Sequence, residues 1–424
     1  MRIVVAGLVA CVAWASSAFA EGKTIYVARP GTKALEAAQA KAGAADLVFP
    51  TLHKALARAA ELAQEPGATE VAVLVASGSY EGKAGAGGWA LPPLSAPGLR
   101  FLILGGYDDA WAARDPFRKP SLLGAGGGTG TPVFDFAAKT RLKELVVGGF
   151  VVDCSGRNRY DGDGNLVHEG SRGTPFVAFS QMLVERVVLC DNAILNSGGR
   201  VMEPLIAPAS PETEIVIANN LFWNDMTPVQ VGVGIGWRGQ TVKRITLRNN
   251  TFLRCWPYNP DPTSSMVGAV TLHNRESSQE IVAEGNLFAH NPGGAFQHDW
   301  PEERMPKVTL RGNLFFGNAT LFGKQEPGAG VLVGKFGANP QYVLLDAARI
   351  ADDFGYKVEG NVSVDPGLGE AAGLEVGKAE GGEGHDVTVK GFAHKVTYDP
   401  EKLPLPADEK ARAFGIRPDE VWKR

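Results

Sequence analysis

The sequence has few of the features that would place it in a familiar class at once. Four cysteines in 424 residues are too few for a disulfide framework, and Cys11, Cys154, Cys190 and Cys255 lack the C-x-x-C or Cys/His spacing of a zinc site. The three beyond residue 20 read as small buried residues in coil positions. No Lys/Arg-rich run or basic stripe interleaved with aromatics occurs, and the formal net charge is −4. Nucleic acid therefore has no electrostatic footprint to bind. Beyond the N-terminus no stretch approaches the roughly 20 apolar residues of a membrane-spanning helix.

What is present begins at the N-terminus. Met1-Arg2 precedes an apolar run from Ile3 to Trp14 and small residues ending Ala18-Phe19-Ala20. This is the pattern of a secretory signal peptide over residues 1–20. Leu8-Val9-Ala10-Cys11 also fits a lipobox, which would leave a lipidated Cys11. Either reading exports the chain to the periplasm, the cell surface or the medium.

Internal repetition is the strongest signal. Four segments share one pattern: Ile215 to Asp225 (IVIANNLFWND), Ile245 to Cys255 (ITLRNNTFLRC), Ile281 to Asn291 (IVAEGNLFAHN) and Val308 to Asn318 (VTLRGNLFFGN). Aligning Asn220, Asn250, Asn286 and Asn313 puts Phe222, Phe252, Phe288 and Phe315 in a second column, at spacings of 30, 36 and 27 residues. Weaker copies lie around Asn192, Asn361 and Leu145 to Ser155. Each unit is a short strand, a turn at Asn and a second apolar pair, so one coil cannot bury its own inner face. Stacking coils as parallel neighbours removes the problem and predicts ladders of identical side chains. Asn suits the turn because it tolerates left-handed backbone and its amide can bond to amides above and below. Leucine-rich repeats have a shorter, Leu-dominated period and propeller blades a longer one, so neither fits.

The expected fold is all-β: a right-handed parallel β-helix with an N-terminal capping helix at Thr51 to Gln64. Residues 21–140 form the cap and first coils, 141–370 the regular coils, and 371–424 a linker and tail along the solenoid. Caps are needed because a parallel solenoid has open edges.

The N-terminal stretch adds a resemblance. Tyr26-Val27-Ala28 with Gly31, Phe49-Pro50-Thr51-Leu52 and a short helix, Val71 to Val75, and Gly78-Ser79-Tyr80 resemble the opening of the secreted right-handed β-helix repeat proteins, the pectate-lyase-like superfamily. Gly105-Gly106-Tyr107-Asp108-Asp109 through Arg114-Asp115-Pro116-Phe117 looks like a signature of one branch. The resemblance covers roughly residues 24–370 and implies a fold more than an activity, since that superfamily holds lyases, hydrolases, epimerases, esterases and adhesins. The polygalacturonase set and the Trp-Ile-Asp-His of the main pectate lyases are missing. Gly78-Ser79-Tyr80-Glu81-Gly82 starts like the pectin-esterase motif but ends in Gly82.

Candidate chemistry falls on the longer connections. His273 with Arg275, and His298 with Asp299, can supply a base and a charge for C5 proton abstraction from a uronate, the step shared by β-elimination and epimerisation. His298-Asp299 also resembles the His-Asp of alginate epimerases, in a different flanking context. Trp237, Arg238, Trp256, Tyr258 and Trp300 offer faces on which pyranose rings can stack. Asp161, Asp163 and Asn165 repeat the 1, 3, 5 ligand spacing of a calcium loop, but Leu166 stands where a turn Gly belongs and Arg172 where the bidentate Glu belongs. A plain Asp-Gly turn explains the same residues. The expected partner is a polysaccharide or cell-surface glycan, bound or modified by lyase or epimerase chemistry, with calcium as the candidate cofactor. The alternative is a non-enzymatic envelope or adhesin module.

Overall fold

The computed structural model describes residues 22–82, 88–124, 132–136, 139–164, 166–167, 176–178, 182–198, 212–231, 243–257, 268–272, 280–299, 307–320, 330–334, 341–342, 347–369, 379–380, 388–389 and 394–422. The chain is predominantly β, and its long sheets stack in chain order in a manner consistent with a parallel β-helix.

Each regular coil visits three sheets in turn. One coil runs Glu214–Ala218, Leu221–Trp223, Val229–Val231; the next runs Arg244–Arg248, Thr251–Leu253, Val270–Leu272. The first member of each coil belongs to a long sheet of eleven strands and the second to a sheet of eight. The third joins a five-stranded sheet, Val229–Val231, Val270–Leu272, Phe296–Asp299, Val331–Gly334 and Gln341–Tyr342 in spatial order. Pairing is parallel and in register, Ile215 with Ile245, Ile245 with Ile281, Ile281 with Val308.

Alternation along the strands fixes what lies inside. Ile215, Ile217, Phe222 and Val229 of one coil share a single buried cluster with their equivalents above and below. Phe222, Phe252, Phe288 and Phe315 stack nearly parallel, with ring centroids 4.9, 4.7 and 5.1 Å apart.

The corner between the long and eight-stranded sheets carries an unbroken amide ladder. Nδ2 of Asn192 donates to Oδ1 of Asn220 at 3.0 Å, and the chain continues through Asn250, Asn286 and Asn313 to Asn361 at 2.9–3.0 Å. Every Oδ1 also accepts the backbone N–H of the preceding rung. The left-handed residue is not the ladder Asn but the one before it: Asp191, Asn219, Asn249, Gly285, Gly312 and Gly360 all have φ between 52° (Asn249) and 67° (Gly285). The two tasks expected of one Asn are divided between neighbours, which frees the ladder Asn to hold its amide in the bonding plane.

Helix α1 spans Lys33–Ala42 and α2 spans Leu52–Leu62. Leu52, Leu56, Ala59 and Leu62 of α2 enter the main core beside Ile25, Val73 and Trp89. Helix α3, Ala347–Phe354, packs Ile350 into the other end of the same core. Among the described residues no helix is long and apolar enough to cross a membrane.

Candidate functional site

The outward faces of the sheets differ in chemistry. On the long sheet one residue per strand, paired in register, forms a column that alternates in sign: Glu70, Arg100, Glu144, Arg186, Glu214, Arg244, Glu280, Lys307. Arg100 Nε and Arg186 Nη1 both donate to the Glu144 carboxylate, at 2.7 and 2.8 Å, and Arg244 Nε donates to Glu280 at 2.7 Å. A second column, Arg248, Glu284, Arg311 and Glu359, alternates in the same way. Because each of these charges has an opposite neighbour one rung away, the two columns largely cancel their own fields.

From strand Ala193–Leu195 onward the outward face of the eight-stranded sheet is apolar. Ala193, Leu195, Leu221, Leu253, Leu287 and Leu314 are buried there under Val396, Ala411 and Ile416 of the C-terminal segment. That segment is pinned along its length. Asn196 exchanges two bonds with the Val396 backbone, and Arg417 N donates to Asn219 Oδ1. Trp422 N donates to Asp191. Asp191 also accepts Asn219 Nδ2 at 2.7 Å and pairs with Arg114 at 3.0 Å, its own side chain fully buried. Arg114 belongs to the signature running from Gly105 to Phe117, so that motif here builds the anchor for the C-terminal segment.

The sequence-derived candidates divide into three groups. His273, Arg275, Trp237, Arg238, Tyr258, Trp300 and Asn165 lie outside the described residues. His298 does not sit on a solvated loop. It is the third residue of strand Phe296–Asp299, aligned with Leu272 and Val333, and is fully buried. Its Nδ1 lies 2.6 Å from Tyr356 Oη, whose own ionisation burial pushes well up. An imidazole held inside the coil stack cannot reach a polysaccharide, so the expectation of a base at His298 is corrected. Asp299 ends the strand, its backbone beside Gly334. Trp256 is also corrected: it is 1% exposed and donates Nε1 to the Asn224 carbonyl, so it presents no face for a sugar.

At the calcium-like spacing, Asp161 Oδ1 accepts Asp163 N at 3.0 Å, and Gly164 N donates back to Asp161 O. This is an Asx turn closed on itself. Among the described residues no group of three His, Cys, Asp or Glu side chains is placed to hold a metal. Cys154, Cys190 and Cys255 are free and buried, as their spacing implied, and burial raises all three thiols far above their ordinary range.

The five-stranded sheet is what relates the remaining candidates to one another. Strands Val229–Val231, Val270–Leu272, Phe296–Asp299 and Val331–Gly334 are consecutive neighbours, so their C-terminal ends form one edge at about 4.8 Å per rung. The connections that start at 232, 273, 300 and 335 leave from that edge. Comparison with protein-family models, with curated proteins and with solved structures returns no match.

Proposed function

We propose that the chain is an exported right-handed parallel β-helix protein, of the pectate-lyase-like kind, that binds an acidic polysaccharide along the edge where the five-stranded sheet ends. Helix α2 closes the N-terminal end of the solenoid in this reading. One observation carries the placement: successive strands of that sheet end side by side, and the connections they release bear Trp237 and Arg238, His273 and Arg275, and Trp300. Aromatic faces and cations suit a chain of charged pyranose rings. The eight-stranded sheet, by contrast, has its apolar face covered by the C-terminal segment.

The chemistry assigned to the edge is uronate β-elimination or its epimerase variant. His273 as a neutral imidazole removes the C5 proton while Arg275 stabilises the enolate. In elimination the electron pair forms the C4–C5 double bond, the C4–O bond breaks, and the departing oxygen takes up a proton. In epimerisation a proton returns to C5 from the opposite face.

The test uses residues 21–424 in affinity electrophoresis and in an absorbance assay for unsaturated uronates, on alginate, pectate and glycosaminoglycans, with and without calcium. Retardation by one acidic polymer, lost in Trp300→Ala, is the expected result, together with an absorbance rise abolished in His273→Ala. Failure to be retarded by any polymer removes the reading. A non-enzymatic envelope module is the second reading, favoured by the unbroken ladders and self-paired charges, and binding with a flat absorbance trace would select its non-catalytic form.

A further inference from the structure

The corner after the eight-stranded sheet carries its own ladder, and its composition is uneven. Ser197, Asp225, Cys255, Asn291 and Asn318 occupy one column, since Met226 N donates to Ser197 O and Trp256 N to Asp225 O. In the amide rungs the bonding is regular. Oδ1 of Asn291 and of Asn318 accepts the backbone N–H of the rung before, at 2.8 and 3.1 Å. Nδ2 of each donates to the carbonyl of Phe252 or Phe288, at 3.1 and 3.0 Å. Cys255 follows the same rule, with Sγ 3.5 Å from Phe222 O.

Asp225 occupies the equivalent slot one rung earlier. Its Oδ1 accepts Ser197 N at 2.8 Å, as the amide oxygens do. The carbonyl equivalent to Phe222, Phe252 and Phe288 in the preceding rung is that of Ile194. Three members of the column place a donor there. Asp225 Oδ2 is buried, with no hydrogen bond while it is counted as an acceptor. A carboxylate oxygen in a slot built for a donor would leave two acceptors facing each other in a dry interior, which costs far more than protonating one of them.

We infer that Asp225 is held as a neutral carboxylic acid, its Oδ2–H donated to the Ile194 carbonyl, so that the second corner is a ladder with one titratable rung. Burial outweighs the backbone N–H groups of Ser197 and Trp223, which favour the ionised form. Burial and the nearby Asp153 favour the protonated form, the thiols Cys154 and Cys255 are neutral, and Arg157 faces Cys154. The inference is independent of any polysaccharide and makes this corner a joint that weakens as pH rises.

The sign of the pH dependence follows. The folded protein holds a proton that the unfolded chain releases at an ordinary carboxyl value of about 3.9. Stability from this rung is therefore complete below that value and is lost as pH rises toward the folded-state value. Asp225→Asn replaces the acid by the amide already present at Asn291 and removes the dependence. In denaturant unfolding from pH 4 upward, the wild-type folding constant should fall about tenfold per pH unit relative to D225N until the folded-state value is passed. Parallel profiles, or a D225N less stable than wild type at neutral pH, overturn the inference. Infrared spectroscopy of the wild type gives a second reading that does not need the variant: a protonated-carboxyl C=O band at neutral pH is expected, and its absence overturns the inference as well.

Discussion

The two outward faces of the coil stack solve one problem in opposite ways. A three-residue strand such as Leu221–Trp223 turns Phe222 inward and leaves Leu221 and Trp223 outside, so the eight-stranded sheet carries an apolar exterior that must be covered. The C-terminal segment covers it. The long sheet, with five-residue strands such as Arg244–Arg248, turns two residues in and leaves charged ends outside that pair with the coils above and below. It needs no cover. The difference teaches that a face of stacked parallel strands can be completed either by distant sequence or by its own repeat. Only the first choice ties the stability of the coils to the far end of the chain.

Deleting residues 394–424 should break the comparison most completely. It uncovers Leu195, Leu221, Leu253 and Leu287 and loses the burial of Val396 and Ile416, each worth on the order of 2 kcal/mol. The expected result is a less stable protein that binds a hydrophobic dye and self-associates on gel filtration. A monomeric truncation with wild-type stability would show that the segment is not a cover. Asp191→Ala should act next, because it leaves Arg114 buried without its carboxylate and removes the acceptor for Trp422 N. A loss of about 3–5 kcal/mol in denaturant unfolding is expected, with earlier proteolysis of the C-terminal segment. Arg244→Glu should do least. It sets three like charges in a row with Glu214 and Glu280, yet these side chains are partly exposed, so the cost is about 1 kcal/mol and shrinks in roughly 1 M salt. A salt-independent loss would mean that packing, rather than charge, is what Arg244 supplies.

These features were not equally legible in the sequence. The Asn and Phe columns could be read because both recur at one offset in four coils, and the structure bears out each of those rungs. The alternating charges sit in the same repeats, immediately before Ile215, Ile245, Ile281 and Val308. Their meaning, however, depends on the order in which coils stack, since alternation along the axis is invisible within any one unit. His298 was misplaced for a physical reason. The polar run Gln297-His298-Asp299 after two glycines reads as a loop, but a strand can carry an inward histidine when a partner such as Tyr356 waits inside, and Tyr356 is 58 residues away. Trp256 was misread likewise, its indole being satisfied by a carbonyl of the previous coil. Asp225 gave a faint sign, standing in the same place as Asn291 and Asn318, a substitution that keeps shape and supplies a donor only when protonated. Of the proposed binding edge, the sequence held the residues and only the pairing of the five-stranded sheet relates their connections.

The amide ladder from Asn192 to Asn361 has a direction, since every Nδ2 points toward the later rung and every Oδ1 toward the earlier one. Aligned dipoles of this kind polarise one another. The length of the molecule is consequently quantised: it can grow or shrink only by whole turns that bring their own Asn in the same orientation, each adding about 4.8 Å to the axis. A partial turn would reverse or interrupt the row of amides. A duplication of residues 221–250 obeys this condition, and the molecule is in that sense a ruler that can be recut only at its graduations.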